Sequence, residues 1–232
     1  MKVLVLGDGL LGSEIIKQTN WDHISRKKDG FDITKDEFNF YGYDVIVNCI
    51  AFTNTDSNDK ESNWNINYKA VADLVGYCNN YNIKLVHIST DYVYTNSVSN
   101  ASEDDIPIHG NNWYSYTKLL ADAFIELKSE DYLILRESHK PSPFPYDNAW
   151  INLIGNFDYV NKIAEIIINL IKLEENGIIN VGTDLKTIYD LAIETNKNVK
   201  ATLKPKQAPE DVSLDLTKLK NILNERSNNI SI

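Results

Sequence analysis

Along the first 140 residues, short unbroken apolar runs alternate with stretches in which apolar residues recur every three or four positions. The runs are Lys2 to Leu6, Asp44 to Cys49, Ile83 to Ile88 and Tyr132 to Leu135. Being short and continuously apolar, they read as parallel strands covered on both faces. Asp22 to Ser25 adds a shorter strand that leads into a basic turn, Arg26-Lys27-Lys28-Asp29-Gly30. Between the strands, helical faces are marked by Ile15 and Ile16, by Ile66, Ala70, Leu74 and Cys78 across residues 63–81, and by Leu119, Leu120, Ala123 and Leu127 across residues 114–128.

Proline and glycine punctuate the rest. The polar stretch from Thr95 to Asn112 is expected to be a loop across the mouth of the sheet, and Pro141, Pro143 and Pro145 mark an exit from the core. A helix is expected over 159–173, stopped by Gly177, then a strand over 178–181. Two short helices follow, over 185–196 and 215–224, separated by a linker with Pro205 and Pro209; the asparagine-rich tail over 221–232 is expected to fray. The sum is an α/β chain: a Rossmann-type doubly wound parallel sheet with a small, trimmed C-terminal cap. Residues 1–136 form the dinucleotide-binding core and 137–232 the substrate-binding cap, with 158–182 returning a helix and a strand to the core.

Charge and cysteine usage narrow the class. Lys plus Arg total 23 against 33 Asp plus Glu, a formal charge of -10 over 232 residues. Such a field repels polyanions, so no nucleic-acid partner is expected, although a local basic pocket can still hold a small phosphate ligand. No apolar run approaches bilayer length, and Met1 to Leu6 leads straight into Gly7 with no cleavable segment, so a cytoplasmic protein without membrane contact is expected. Cys49 and Cys78 sit in apolar patterns and the four histidines are scattered without ligand spacing, so neither a disulfide framework nor a metal site is expected.

The chemistry concentrates at strand ends. Gly7, Gly9 and Gly12 follow the first strand and precede a helix, the order needed for a tight turn, close backbone approach to a pyrophosphate and close helix packing. Leu10 and Leu11 lie within the same cofactor-binding turn. Asp8 fits beside a pyrophosphate only if its carboxylate faces away. After the second strand, Arg26 and Lys27 stand where an acid would grip ribose hydroxyls, and cations there favour the 2′-phosphate of NADP, with NADH possible. Asp32 is placed to accept from the adenine amino group, with Ile33 beside it. Cys49, Ile50 and Ala51 end the third strand against the nicotinamide side, Cys49 as a packed residue rather than a nucleophile. Asn67 is expected to cap a backbone group near that strand end.

Tyr114 and Lys118 are one helical turn apart on one face. There a lysine ammonium can bind ribose hydroxyls and share with the oxidised nicotinamide in lowering the phenol, leaving Tyr114 a proton donor for ketone reduction. Ser89, Thr90 and Asp91 end a parallel strand, where open sheets place ligands, and a hydroxyl there can hold a substrate carbonyl beside the phenol. His109 and His139 lie in segments that border the substrate.

Taken together, Gly7 to Gly12, Phe31-Asp32-Ile33-Thr34, Val45 to Ala51, Asn65-Ile66-Asn67, His87 to Tyr94, the Tyr114/Lys118 pair and Ile134-Leu135-Arg136 resemble the extended short-chain dehydrogenase/reductases, specifically the dTDP-4-dehydrorhamnose reductase group. The resemblance implies Thr90, Tyr114 and Lys118 as a catalytic trio, Asn67 and Ser89 beside the cofactor, and Asp91, Tyr92, Arg136 and His139 beside the substrate. The implied reaction is NAD(P)H-dependent reduction of the 4-keto group of a dTDP- or UDP-linked 4-keto-6-deoxy sugar, and homodimers occur in the group. Alternatives are a sugar-nucleotide epimerase or epimerase/reductase, and a cofactor-binding regulatory subunit without turnover. The chain departs from the group in a glycine loop one residue short and in a trimmed segment from Glu137 to Tyr159.

Overall fold

The computed structural model describes residues 1–229. The chain runs β1 (Val3–Leu6), α1 (Leu10–Thr19), β2 (Asp22–Ile24), α2 (Arg26–Asp29), β3 (Val45–Asn48), α3 (Lys60–Trp64), a π turn (Asn65–Lys69), α4 (Ala70–Tyr81), β4 (Lys84–Thr90), a 3-10 turn (Asp91–Tyr94), α5 (Trp113–Lys128) and β5 (Tyr132–Glu137). It continues through β6 (His139–Lys140), β7 (Asn148–Trp150), β8 (Ile154–Gly155), β9 (Asp158–Tyr159), α6 (Val160–Lys172), β10 (Gly177–Asn180), β11 (Lys186–Thr187), α7 (Ile188–Thr195), β12 (Lys200–Thr202), β13 (Asp211–Val212) and α8 (Thr217–Asn229).

Six strands form one sheet in the order β10-β5-β4-β3-β1-β2, and every pair in it is parallel. Alternation along each strand sends side chains to opposite faces. Val3, Val5, Val45, Val47, Val86, Leu133 and Leu135 pack under α1, α6 and α8. Leu4, Leu6, Ile46, Leu85 and Ile134 pack under α4 and α5. This is the doubly wound architecture the apolar runs predict. The chain leaves β1 toward β2 on one side and resumes with β3 on the other, so the sheet reverses direction between β1 and β3 and opens a crevice at their C-terminal ends.

A separate apolar cluster, including Phe144, Leu153, Phe157, Tyr159, Leu191 and Val212, builds the small unit beyond the prolines. Its strands are pairs of two or three residues, β11 with β8 and β13, β12 with β7, and β6 with β9. Such pairs are too short to leave a periodic signal, so the sequence pattern passes over them.

Several boundaries move. The basic turn is a short helix, α2, because the Ser25 hydroxyl accepts from the Lys28 N–H and Gly30 closes it at φ 75°. The helix expected over 159–173 ends at Lys172, and Glu174 rather than Gly177 adopts the first left-handed conformation after it, at φ 58°. Gly177 instead opens β10. Thr187 and Asp190 form a reciprocal capping box that delays the next helix to Ile188. Where the tail was expected to fray, α8 continues to Asn229; residues 230–232 lie outside the described residues.

Candidate active site

β1, β3, β4 and β5 end at one edge, and the two halves of that edge are built differently. At the β1/β3 half the material is backbone. Gly7 has φ 94°, and a Cβ there would lie 2.8 Å from Ile50 Cγ1. A Cβ on Gly12 would lie 2.2 Å from the Gly7 carbonyl oxygen, so α1 packs onto the turn at a distance only glycine allows. Gly9 faces open space, and α1 begins with neither a side-chain cap nor an acidic residue in its first turn. An uncapped helix N-terminus beside open space fits the pyrophosphate of a dinucleotide. Cys49, Ile50 and Ala51 are half-buried against this turn, and burial pushes the Cys49 thiol up to about 12, as expected of a packed residue.

Several residues expected beside the cofactor have their side chains engaged elsewhere. Leu10 is exposed at the turn, but Leu11 is buried in the core. Ile33 packs with Phe31 and Phe40. Asp32 accepts at Oδ1 from the Thr34 hydroxyl at 2.7 Å and the Thr34 N–H at 3.1 Å, bonds that hold its carboxyl below the usual range, while Oδ2 faces Lys35 at 3.5 Å. Arg26 and Lys27 are exposed at the end of β2, with an Arg26 nitrogen 3.8 Å from Asp32.

At the β4/β5 half the material is side chain. Alternation along β4 turns Ser89 and Thr90 to opposite faces. Ser89, expected beside the cofactor, donates instead to Asp122 at 2.9 Å. Arg136, expected beside the substrate, is buried and donates to the same Asp122 oxygen at 3.0 Å and to the Tyr94 hydroxyl. Both belong to a buried pin between β4, β5 and α5. Asn67, in the π turn, spends its amide on the backbone of Phe52 and on Asn63 and Thr117. It clamps the loop after β3 to α5.

Thr90 turns the other way. Its hydroxyl caps the 3-10 turn by accepting from the Tyr92 N–H at 3.2 Å and donates to the Asp91 carboxylate at 3.2 Å, and it lies close enough to the Tyr114 phenol to pull its pKa down. Tyr114 reaches it because Asn112 caps α5, accepting from the Ser115 N–H at 2.8 Å, which sets the phenol in the first turn. Tyr92 packs edge-on against Tyr114, centroids 6.3 Å apart. The Tyr114 phenol is pushed above its ordinary value, chiefly by desolvation, with Glu137 and Asp91 adding and Thr90 opposing. Lys118, expected to lower the phenol together with a bound nicotinamide, is buried with its Nζ 2.8 Å from His87 Nε2 and 2.6 Å from the Ile88 carbonyl oxygen.

Two charged residues here escape the sequence reading. Glu137 stands directly beside Thr90 in the parallel register, buried, with both oxygens within 3.0 Å of His139 Nδ1. Lys140 follows, bonded to the Ser138 hydroxyl at 3.0 Å and close enough to influence Asp91 and Glu137. Asp91 is buried, and its carboxyl is pushed up to about 7, first by burial and further by Glu137, against the pull of Lys140. A strand read as ending at Leu135 stops two residues short of Glu137; its signal was the pairing of strand ends.

Outward from Tyr92 a cavity of about 1280 Å³ opens between residues 55–58, the start of α5 and residues 205–210. Tyr92, His109, Trp113, Tyr116, Trp150 and Lys206 are among its walls. Among the described residues no group of three or more His, Cys, Asp or Glu side chains is placed to hold a metal ion, and no helix is long and apolar enough to cross a membrane.

The family model of the RmlD substrate binding domain matches residues 1–139. The chain belongs to this family. The spore coat polysaccharide biosynthesis protein SpsK of Bacillus subtilis is 31% identical over 195 residues, covering 73% of this chain and 69% of that protein. Among solved structures, a hypothetical dTDP-4-dehydrorhamnose reductase from Sulfolobus tokodaii superposes with a TM-score of 0.79 at 26% identity, over 96% of this chain and 94% of the other. A UDP-glucuronic acid 4-epimerase from Bacillus cereus, in complex with UDP-glucuronic acid and NAD, reaches the same TM-score of 0.79 at 18% identity, over 97% and 93%. At that identity the likeness is one of fold. As an RmlD-family chain, this protein carries its matched segment through the glycine turn, Thr90, Tyr114 and Lys118 and ends at His139.

Proposed function

We propose that this chain reduces the 4-keto group of a dTDP- or UDP-linked 4-keto-6-deoxyhexose with NADPH, residues 1–136 holding the cofactor and the remainder capping the sugar nucleotide. One observation carries the reading: the Tyr114 phenol and the Thr90 hydroxyl, close enough for Thr90 to influence the phenol, stand at the end of β4 beside both a glycine-lined crevice and a large aromatic cavity. The glycine turn and the N-terminus of α1 would hold the pyrophosphate, Arg26 and Lys27 the 2′-phosphate, and Lys118 the ribose. When bound, the nicotinamide supplies hydride.

The chain's own residues do the rest. Thr90 orients the keto oxygen, and Tyr114 gives it a proton; desolvation keeps the phenol protonated until then. The aromatic walls of the cavity exclude water around the sugar, while Asp91, Tyr92 and His139 border it. A 4-epimerase reading draws support from the fold likeness to the B. cereus enzyme. The two differ in bookkeeping of electrons: a reductase consumes one NADPH per sugar, an epimerase none.

The test is turnover of purified protein against dTDP- and UDP-4-keto-6-deoxyhexoses, followed by NADPH absorbance and product analysis. Stoichiometric oxidation is expected, and Tyr114→Phe is expected to lower kcat by about 10²- to 10⁴-fold with cofactor affinity retained. In a parallel assay with NAD, inversion at C4 of a UDP-linked 4-hydroxy sugar without net change in the cofactor, and no NADPH oxidation with the keto sugars, would replace reduction with epimerisation, and an unchanged Tyr114→Phe would remove the phenol from its role.

A further inference from the structure

Three buried side chains, Asn48, His87 and Lys118, link β3, β4 and α5 beneath the strand ends. Their hydrogen-bond polarity is fixed from one end. The Ile50 backbone N–H lies 3.1 Å from Asn48 Oδ1, and a backbone amide can only donate. The other arm of Asn48 is therefore its NH2, which lies 3.3 Å from His87 Nδ1. An NH2 also only donates, so Nδ1 offers a lone pair and a neutral imidazole carries its hydrogen on Nε2.

Nε2 faces Lys118 Nζ at 2.8 Å. A hydrogen on Nε2 needs an acceptor, and an ammonium has none, whereas an amine has one lone pair. The amine's own hydrogen reaches the Ile88 carbonyl oxygen at 2.6 Å. Reversing the line, with ammonium donating to Nε2, would put a hydrogen on Nδ1 against the NH2 of Asn48, donor against donor.

We propose that His87 is a positioning residue for Lys118: through Nε2–H it holds the lysine amine, so the lysine's proton is tied to the imidazole tautomer. To become the ammonium that grips a ribose, Lys118 must break or reverse this bond. The groups facing Lys118 are His87 from β4, Asp122 on its own helix, Glu137 from β5 and Cys49 after β3. The carboxylates favour the charged lysine, but burial outweighs them and brings Lys118 down to about 8. Burial, then Lys118, holds His87 well below 6.5, so the imidazole stays neutral throughout and only its tautomer changes.

This inference deepens the reductase reading by assigning a residue to the same site, yet its test needs neither cofactor nor keto sugar. In the full chain labelled with 15N and 13C, the His87 ring nitrogens and the Lys118 Cε are followed by NMR from pH 6 to 10. Above the lysine's midpoint His87 is expected as the Nε2–H tautomer, and on lowering the pH its ring shifts are expected to move at that same midpoint. Nδ1–H above the midpoint, or ring shifts that ignore the lysine's transition, would overturn the proposal. Asn48→Asp supplies a second arm. Its carboxylate still accepts from Ile50 but also accepts at Nδ1, so His87 should take Nδ1–H and the Lys118 midpoint should rise by at least one pH unit. Retention of Nε2–H in that variant also overturns it. Failure of sugar turnover would strike the reductase reading and leave these spectra untouched.

Discussion

The two halves of the sheet's C-terminal edge are built by different means. At β1/β3, shape is made by the absence of side chains: Gly7 and Gly12 let backbone meet backbone, and Gly9 leaves a helix N-terminus uncapped. At β4/β5, the wall is made of titratable side chains pressed together, with Thr90, Asp91, Tyr114, Lys118 and Glu137 coupled through hydrogen bonds and charge. In the first half an added Cβ meets a neighbour at 2.8 Å on Gly7 and 2.2 Å on Gly12 but nothing within 4 Å on Gly9.

The largest expected effect is on the pin beneath the second half. Asp122→Ala leaves Arg136 buried beside Tyr94 without its carboxylate, and breaking such a pair is expected to cost about 3–5 kcal/mol, read as a fall in urea midpoint. A loss under 1 kcal/mol would show that water reaches the guanidinium and that this half is less dry than its burial implies. Next comes Gly12→Ala, whose methyl would overlap the Gly7 carbonyl. Overpacking of this kind costs about 1–3 kcal/mol, and NADPH affinity is expected to fall with stability, by calorimetry and fluorescence. Unchanged affinity would detach the turn from the cofactor.

A smaller effect separates the halves by pH. Because burial raises the Asp91 carboxyl from 3.8 to about 7, the folded state binds its proton more tightly than the unfolded chain. The stabilisation is full below pH 3.8 and is lost as pH rises through about 7, at up to about 1.4 kcal/mol per pH unit between them. Asp91→Asn is expected to remove that slope in urea unfolding measured at pH 5 and pH 7.5. An identical slope in the variant would assign the pH dependence elsewhere. The smallest effect is expected at the exposed rim, where Arg26→Ala should reduce the NADPH-over-NADH preference by about tenfold, the worth of one charge-assisted hydrogen bond, without altering stability.

Legibility followed the same division. The glycine turn could be read because its residues lie within six positions and need only a strand before and a helix after. Thr90 and Tyr114 could be read from position, a strand end and a helix start. Glu137 could not, because its meaning lies in standing beside Thr90 across β4 and β5, which are separated by α5. Ser89 sits in the same motif as Thr90, and Arg136 closes the motif Ile134-Leu135-Arg136, yet strand alternation turns both into a buried pin.

By itself the sequence determined the six strands of the large sheet, the longer helices that cover it and the sheet class, since apolar periodicity and glycine placement act over a few residues at a time. Tertiary structure alone decided which face each strand-end side chain takes, that Lys118 meets His87, and that burial pushes the Tyr114 phenol up. Those outcomes depend on register and desolvation, which arise only when residues distant in the chain exclude water from one another.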